Sequence, residues 1–133
     1  MERHSPFGTF GNLMWRTIPE LRPAISEMIQ DRLQTAILIE EDPDIDIGDF
    51  RSVIGRYILT PMAEGTEDPH LVSRLAELIR EVVAYDGEDK EVFQHDAELF
   101  FFENLQFEPA LSKLEAVDPG ISAVVTDPFP LKR

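Results

Sequence analysis

The amino-acid sequence predicts an all-α fold, a compact bundle of about five to six helices. Apolar residues recur at spacings of three and four in several separate stretches, as in amphipathic helices. Asp or Pro stands where such stretches begin, which helix N-termini favour. No strand pair or hairpin dipeptide is evident. With 133 residues, 43% of them hydrophobic, the chain suits one domain with its own core. We therefore assign 1–133 to a single helical domain, with 1–9 and 127–133 as loose tails.

The first two helices are predicted on either side of Pro19. Residues 10–17 form a short helix, which ends there because the residue before a proline is pushed out of the α region. A second helix begins near Leu21 and reaches about Thr35. The apolar run 36–39 either prolongs this helix or is extended, and we favour the helix.

An acidic loop is predicted next, over residues 40–49, since Pro43, Gly48 and like-charge repulsion all oppose regular structure. Asp49 is expected to cap the third helix by accepting bonds from free backbone N–H groups. Pro61 is expected to kink or end this helix. The helix presents one apolar stripe, formed by Phe50, Val53, Ile54, Tyr57 and Ile58.

The clearest helix runs from Asp68 to about Tyr85. Asp68 is a good N-cap, and Pro69 fits the first helical position. Gly87 is expected to follow the helix as its C′ residue. The apolar residues at helical spacing are Leu71, Val72, Leu75, Leu78, Ile79, Val82 and Val83.

Two further helices and a last helical turn or two are predicted toward the C-terminus. One follows the turn 85–89 and holds Val92, Phe93, Ala97, Phe100, Phe101 and Leu105. Because the turn is short, this helix is expected to lie antiparallel to the preceding one. Such a pair is the unit of HEAT-type solenoids, so a HEAT-like helical hairpin arrangement is the alternative fold. Residues 110–117 predict a shorter helix, and 119–125 predict one or two more turns.

Composition excludes several classes of function. Twenty-six acidic residues against twelve basic ones give a formal net charge of −14, which repels nucleic-acid phosphates and anionic lipid surfaces. We therefore expect no direct nucleic-acid binding and no membrane association. The start lacks a secretory signal and no apolar stretch approaches a membrane span, so we expect a cytoplasmic protein. The absence of cysteine excludes disulfides, thiolate metal sites and thiol nucleophiles.

No pattern of catalytic, metal-binding or cofactor-binding residues is recognised, so we expect a protein that is not an enzyme and needs no metal or cofactor. Residues 42–48 place carboxylates at alternate positions, as a calcium loop does. If Asp42 is the first ligand, however, Ile47 stands where that loop needs glycine and Val53 where it needs glutamate. His95 lies three residues before a carboxylate, but no second histidine has metal-ligand spacing. No serine has a nucleophile elbow and no glycines form a phosphate loop.

The acidity favours a basic protein partner, although charge that only keeps the protein in solution is the alternative explanation. Acidic residues are densest around residues 40–49 and 86–91. Successive residues of a helix point about 100° apart, so one ring among Phe100, Phe101 and Phe102 is expected to face away from the core. The predicted contact residues are Asp44, Asp46, Asp49, Glu88, Asp89, Glu91, Trp15 and Phe102.

Four short motifs carry a resemblance to a known family. They are Pro19-Glu20-Leu21-Arg22 before the second helix, Gly48-Asp49-Phe50 at the third, Asp86-Gly87-Glu88-Asp89 with Val92 beyond it, and Phe101-Phe102-Glu103-Asn104-Leu105 closing a helix. Over about residues 10–115 the chain resembles small bacterial all-helical proteins associated with the immunity proteins of toxin systems. The resemblance implies a cytoplasmic immunity protein or inhibitor that neutralises a bacterial toxin or effector by direct binding. It implies no site residues.

Two other functions stay open. The chain is also compatible with an acidic nucleic-acid mimic that inhibits a DNA-binding protein, or with a small regulatory or adaptor subunit.

Overall fold

Seven helices make up most of the described residues in a computed structural model, which describes residues 8–41 and 45–130. They are α1 (Gly8–Thr17), α2 (Arg22–Ile39), α3 (residues 47–64), α4 (Pro69–Ala84), α5 (Lys90–Phe100), α6 (Glu108–Val117) and α7 (Ile121–Thr126). Short 3-10 turns occupy Pro19–Leu21 and Phe102–Leu105. The described residues contain no strand, which confirms the all-α prediction. The count is seven rather than five to six, because the turns predicted over 119–125 form a separate helix, Ile121–Thr126.

Helix α4 is the element on which much of the core is built. Its start matches the prediction: the Asp68 carboxylate accepts a 2.9 Å bond from the His70 N–H, and Pro69 follows the cap. The helices α1 and α6 and the middle of α3 all pack against it. Its buried residues are Val72, Leu75, Ala76, Leu78, Ile79 and Val82.

The start of α3 corrects the predicted cap. Asp46, and not Asp49, is the N-cap residue. The Asp46 carboxylate accepts from the Asp49 N–H at 3.2 Å, and the Asp49 carboxylate accepts from the Asp46 N–H at 3.0 Å. This reciprocal capping box is favoured because it satisfies two backbone donors that lack partners within the helix.

Pro61 does not end α3, which continues to Glu64. The regular first part, Ile47–Ile54, is followed by a wide π turn, Gly55–Leu59, in which the Thr60 N–H bonds to the carbonyl of Gly55. Proline has no N–H to donate and its ring crowds the preceding turn of a regular helix. The wide turn lies directly before Pro61 and accommodates it without ending the helix.

The same wide turn changes the predicted apolar stripe of α3. Ile54 and Ile58 are buried as expected, but Tyr57 is 37% exposed. Its ring lies instead beside the guanidinium of Arg56, 5.4 Å from the ring centre. In a regular helix, a residue three positions after Ile54 lies on nearly the same face as Ile54. Tyr57 does not lie on that face, because it belongs to the wide turn, where the rotation per residue is different.

Helix α5 makes its main helix contacts with α3 rather than with α4, so the HEAT-like hairpin and the antiparallel pair are not formed. The turn before α5 explains the difference. Gly87 does not adopt the left-handed conformation expected of a C′ residue, and Asp89 adopts it instead, with φ of 54°. The Tyr85 hydroxyl donates to the carbonyl of Glu88 at 2.8 Å, and its ring packs on Phe93 with centroids 4.7 Å apart. These contacts fix a turn that directs α5 toward α3.

The described residues at the inner ends of both predicted tails are ordered parts of the fold. Helix α1 begins at Gly8, so residues 8 and 9 are helical. Beyond α7, Pro128 and Phe129 are buried, and the ring of Phe129 meets that of Phe102 edge-on at 5.8 Å. The chain is therefore packed as far as this ring, while residues 1–7 and 131–133 lie outside the described part.

Ion pairs connect elements that are distant in the sequence. In the Pro19–Leu21 turn, the Glu20 carboxylate contacts His70 and the Arg74 guanidinium, both on α4. The pKa of Glu20 falls to about 2, first because its own backbone N–H donates to the carboxylate and then because His70 does. This group therefore keeps its charge throughout the neutral and mildly acidic range.

Two more pairs hold α6 and the segment after it. Arg80 on α4 makes a two-bond contact with the Asp118 carboxylate, at 2.9 and 3.0 Å. The Lys113 ammonium donates to the Glu67 carboxylate at 2.6 Å and to the carbonyl of Met62 at 3.2 Å. These bonds join α6 to the end of α3 and to the turn after it.

Glu115 caps α7 from the preceding helix. Its carboxylate accepts bonds from the Gly120 N–H at 2.7 Å, the Ser122 N–H at 3.1 Å and the Ser122 hydroxyl at 2.8 Å. The Gly120 N–H, followed by the Ser122 groups, lowers the pKa of Glu115 below its ordinary value. An ionised carboxylate thus stabilises the start of a six-residue helix that has no side-chain cap of its own.

Core substitutions on α4 test its central role. Leu75→Ala and Ile79→Ala are each expected to lower the free energy of unfolding by about 2–5 kcal/mol, because both side chains are fully buried. Urea denaturation followed by circular dichroism measures the loss. Leu99→Ala, at an exposed site on α5, serves as the control and is expected to change it by under about 0.5 kcal/mol. Losses below about 0.5 kcal/mol at both α4 positions would contradict the described core.

Replacing the α7 cap tests the pKa of Glu115. That pKa is lower in the folded protein than in the unfolded chain, so the stabilisation is complete above the unfolded value, about 4.3, and disappears as the pH falls through the folded value. Glu115→Gln is expected to lower the melting temperature at pH 7 and to flatten its decline between pH 5 and pH 3. Glu27→Gln on α2 is the control. If the melting temperatures of both variants declined equally between pH 5 and pH 3, Glu115 would not contribute to the pH dependence of stability.

Candidate functional site

An open groove of about 620 Å³ lies between the N-terminal parts of α1 and α3 and one side of α5. Helix α1 is placed there by its packing on α3 and α4, and α5 by its packing on α3. Apolar side chains from all three regions line it: Phe10, Leu13, Ile45, Ile47, Phe50, Val92, Phe93 and Phe100.

The groove has a rigid apolar floor and an exposed apolar wall. Phe10 and Phe50 are buried, and the ring of Phe10 packs edge-on against Phe101 with centroids 5.0 Å apart. On α5, Val92 is 60% exposed and Phe100 is 47% exposed. Large apolar side chains that face solvent beside a concave surface are typical of binding sites.

Carboxylates line the rim of the groove. Asp46 comes from the first predicted acidic cluster, whereas Glu88 and Asp89 come from the second, and α5 adds Asp96. Among the described residues of the lining, Arg16 is the one basic side chain, and its guanidinium already contacts Glu81 at 3.1 Å. The fold therefore brings Asp46, the N-cap of α3, together with Glu88, Asp89 and Asp96 at one negatively charged opening.

Three of the predicted acidic contact residues lie elsewhere. Asp49 belongs to the capping box of α3 and also contacts the Arg32 guanidinium at 3.6 Å, so it acts in the structure of the helix start. Glu91 lines a separate hollow with Lys90, away from the groove. Asp44 lies outside the described residues.

The aromatic predictions need one correction. Phe102 is only 2% exposed and packs against Phe101 and Phe129, so it is a core residue and not a surface contact. The exposed ring is that of Phe100. Trp15 is half-buried and faces α2, where the Arg22 guanidinium lies 5.2 Å from its ring centre and Nε donates to its carbonyl at 2.9 Å.

Sequence reasoning did not select the α5 residues of the groove. Val92, Asp96 and Phe100 are spaced by four, so they share one side of α5, over about 12 Å of helix. This spacing was available as a signal. The sequence did not reveal that α3, rather than α4, packs on the adjacent side of α5. The side of α5 that carries Val92, Asp96 and Phe100 is therefore left open.

The groove combines apolar side chains with carboxylates. Its lining within the described residues contains no histidine, serine, lysine or cysteine. Comparison of the chain with protein-family models, with curated proteins and with solved structures gave no match.

Residues 8–41 and 45–130 contain no candidate metal site and no candidate membrane span. No three His, Asp or Glu side chains there are placed to hold a metal ion. Asp42, the first ligand of the calcium-loop interpretation, lies outside this part. None of its helices is both long enough and apolar enough to cross a bilayer.

Two phenylalanine substitutions distinguish the groove from the core. Phe102→Ala is expected to lower the free energy of unfolding by about 3–5 kcal/mol because it removes a buried ring. Phe100→Ala is expected to change it by less than about 0.5 kcal/mol. Urea titration of both proteins makes the comparison, and similar losses would contradict the assignment of Phe100 to an open surface.

Proposed function

We propose that this protein is a protein-binding module that neutralises a basic bacterial toxin or effector in the cytoplasm, as an immunity protein or inhibitor does. The observation that supports this proposal most directly is one groove that combines exposed apolar side chains with four carboxylates, those of Asp46, Glu88, Asp89 and Asp96. The partner places apolar side chains in the groove. Its Lys and Arg residues surround these side chains and face the carboxylates of the rim. No chemical step is needed, because occupation of the partner's surface is sufficient to inhibit it.

The apolar part of the groove supplies affinity. Covering an exposed side chain such as Val92 or Phe100 contributes up to about 1.5–3 kcal/mol when it becomes fully buried. The floor beneath them is already packed, so little ordering is required on binding. A rigid aromatic floor next to exposed anchors resembles the well-packed centres that dominate interface energies.

The carboxylates supply speed and selectivity. Asp46, Glu88, Asp89 and Asp96 surround the opening, and the whole chain carries −14, so a basic protein is attracted and an acidic one is repelled. The apolar wall between the carboxylates favours a partner whose contact surface is partly apolar over the surface of a DNA-binding protein, since protein surfaces that contact nucleic acid are more polar.

Capture of the partner tests the proposal. The full-length protein, immobilised and incubated with lysate of the source organism, is expected to retain a basic protein, which is then purified and its binding kinetics measured. Glu88→Lys combined with Asp96→Lys is expected to slow association at least tenfold and to weaken its dependence on salt. Val92→Ser combined with Phe100→Ser is expected to accelerate dissociation.

Glu91→Lys combined with Lys90→Glu supplies a matched control, since these residues lie outside the groove and the pair keeps the net charge. A single Glu91→Lys change raises the net charge by half as much as the groove variant does and is expected to alter association less than threefold. If the groove variants bind the purified partner with unchanged rates, the groove is not the interface. If the purified partner loses no activity on binding, the inhibitory role is wrong.

A further inference from the structure

Two helices, α1 and α5, form the long walls of the groove. Both pack on α3, but neither has the other as a main neighbour. The gap between them lies over the start of α3, where the buried Phe50 belongs to its floor. The lining residues of the two walls recur at a spacing of four: Gly8, Asn12 and Arg16 on α1, and Val92, Asp96 and Phe100 on α5.

This spacing suits the packing of a further helix between the walls. Residues four apart on a helix form a ridge, and the ridges of one helix pack into the spaces between the ridges of another. Each row extends over eight residues, or about 12 Å, which is a little over two helical turns. The groove is therefore long enough to contact two turns of a helix on both sides.

The hydrogen-bonding capacity of the groove favours a helix over an extended segment. An extended segment in the groove would bury backbone N–H and C=O groups, which then need partners. The backbone groups of the two walls are bonded mostly within α1 and α5. Carboxylates at the rim accept bonds but cannot donate to the carbonyls of such a segment. A helix satisfies its own backbone groups and needs only apolar contact and opposite charge from the groove.

The charge of the two walls differs. Asp89 and Asp96 line the α5 side, whereas α1 contains no acidic residue. The basic side chain of α1 in the lining, Arg16, contacts Glu81 on α4. A helix in the gap is therefore attracted through basic residues on its α5 side, while its α1 side meets a wall without carboxylates.

We propose that the groove receives one amphipathic helix of the partner. Its apolar residues, at spacings of three and four, face the floor at Phe10 and Phe50, and its Lys or Arg residues lie along the flank that faces α5. This inference rests on the proposed function, because it names the part of the basic partner that enters the groove. The docked helix contacts Val92 and Phe100 from α5 and completes the layer of helices on α3.

Two synthetic peptides of about 18 residues test the inference without the natural partner. Both carry Leu at spacings of three and four and Lys along one flank. The first has Ala at two positions on the remaining side, and the second has Pro there, which prevents the helix but keeps the charge and the Leu residues. Fluorescence anisotropy with the full-length protein is expected to show saturable binding of the Ala peptide and at least tenfold weaker binding of the Pro peptide. Circular dichroism is expected to show a gain of helix when the Ala peptide binds.

Variants of the protein locate the bound peptide. Val92→Ser combined with Phe100→Ser is expected to weaken binding of the Ala peptide at least tenfold. Leu33→Ser combined with Ile37→Ser removes two exposed apolar side chains of α2, outside the groove, and is expected to leave the affinity unchanged. Melting curves by circular dichroism verify that both variants are folded.

Three results would overturn the inference. Equal affinity of the two peptides would show that the groove accepts an extended segment. The other two are the absence of saturable binding by the Ala peptide and binding that only the α2 variant weakens. The proposed function is judged separately, from the kinetics with the captured partner. A partner whose association depends on the groove supports that function even if the two peptides bind equally, whereas a groove that binds the Ala peptide but not the captured partner supports the helix and contradicts the function.

Discussion

The burial of α4 is the constraint on which the other elements depend. Its apolar residues face α1, α6 and the middle of α3 at once, so each of these must lie against it for the core to close. Polar residues of α4 then form ion pairs with the neighbouring segments. Arg74 and His70 contact Glu20 in the Pro19–Leu21 turn, and Arg80 contacts Asp118. This arrangement also fixes the walls of the groove that α1 and α3 form, because both helices pack against α4.

Local sequence patterns were sufficient to predict α4, whereas the packing around α5 could not be predicted from them. Asp68, Pro69 and a continuous apolar periodicity act within one helix, so no tertiary information is needed. Phe101 shows the opposite case. It leaves the helical conformation, with φ of −125° and ψ of −63°, and the next residues form a 3-10 turn. The 100° rotation between successive residues then no longer applies, and Phe101 and Phe102 both enter the core.

The candidate site was predictable in its charge but not in its geometry. The local density of acidic residues identified two clusters, yet most of α3 and all of α4 separate them in the sequence. Their convergence results from the direction of α5, which is set by the left-handed backbone of Asp89 and the contacts of Tyr85. A positive φ at a residue other than glycine is uncommon, and nothing in the sequence marks Asp89 rather than Gly87 for it.

The wide turn in α3 also sets the rotational phase of that helix. Phe50, Ile54, Ile58 and Met62 are all buried and are spaced by four. In a regular helix each step of four advances the face by about 40°, so the last residue would lie about 120° from the first. The wide turn at Gly55–Leu59 advances less per residue and returns the series to one side. The number of residues between the groove end of α3 and Met62 is therefore fixed: loss or gain of one would rotate the Met62 end, and the Lys113 bond with it, relative to the groove.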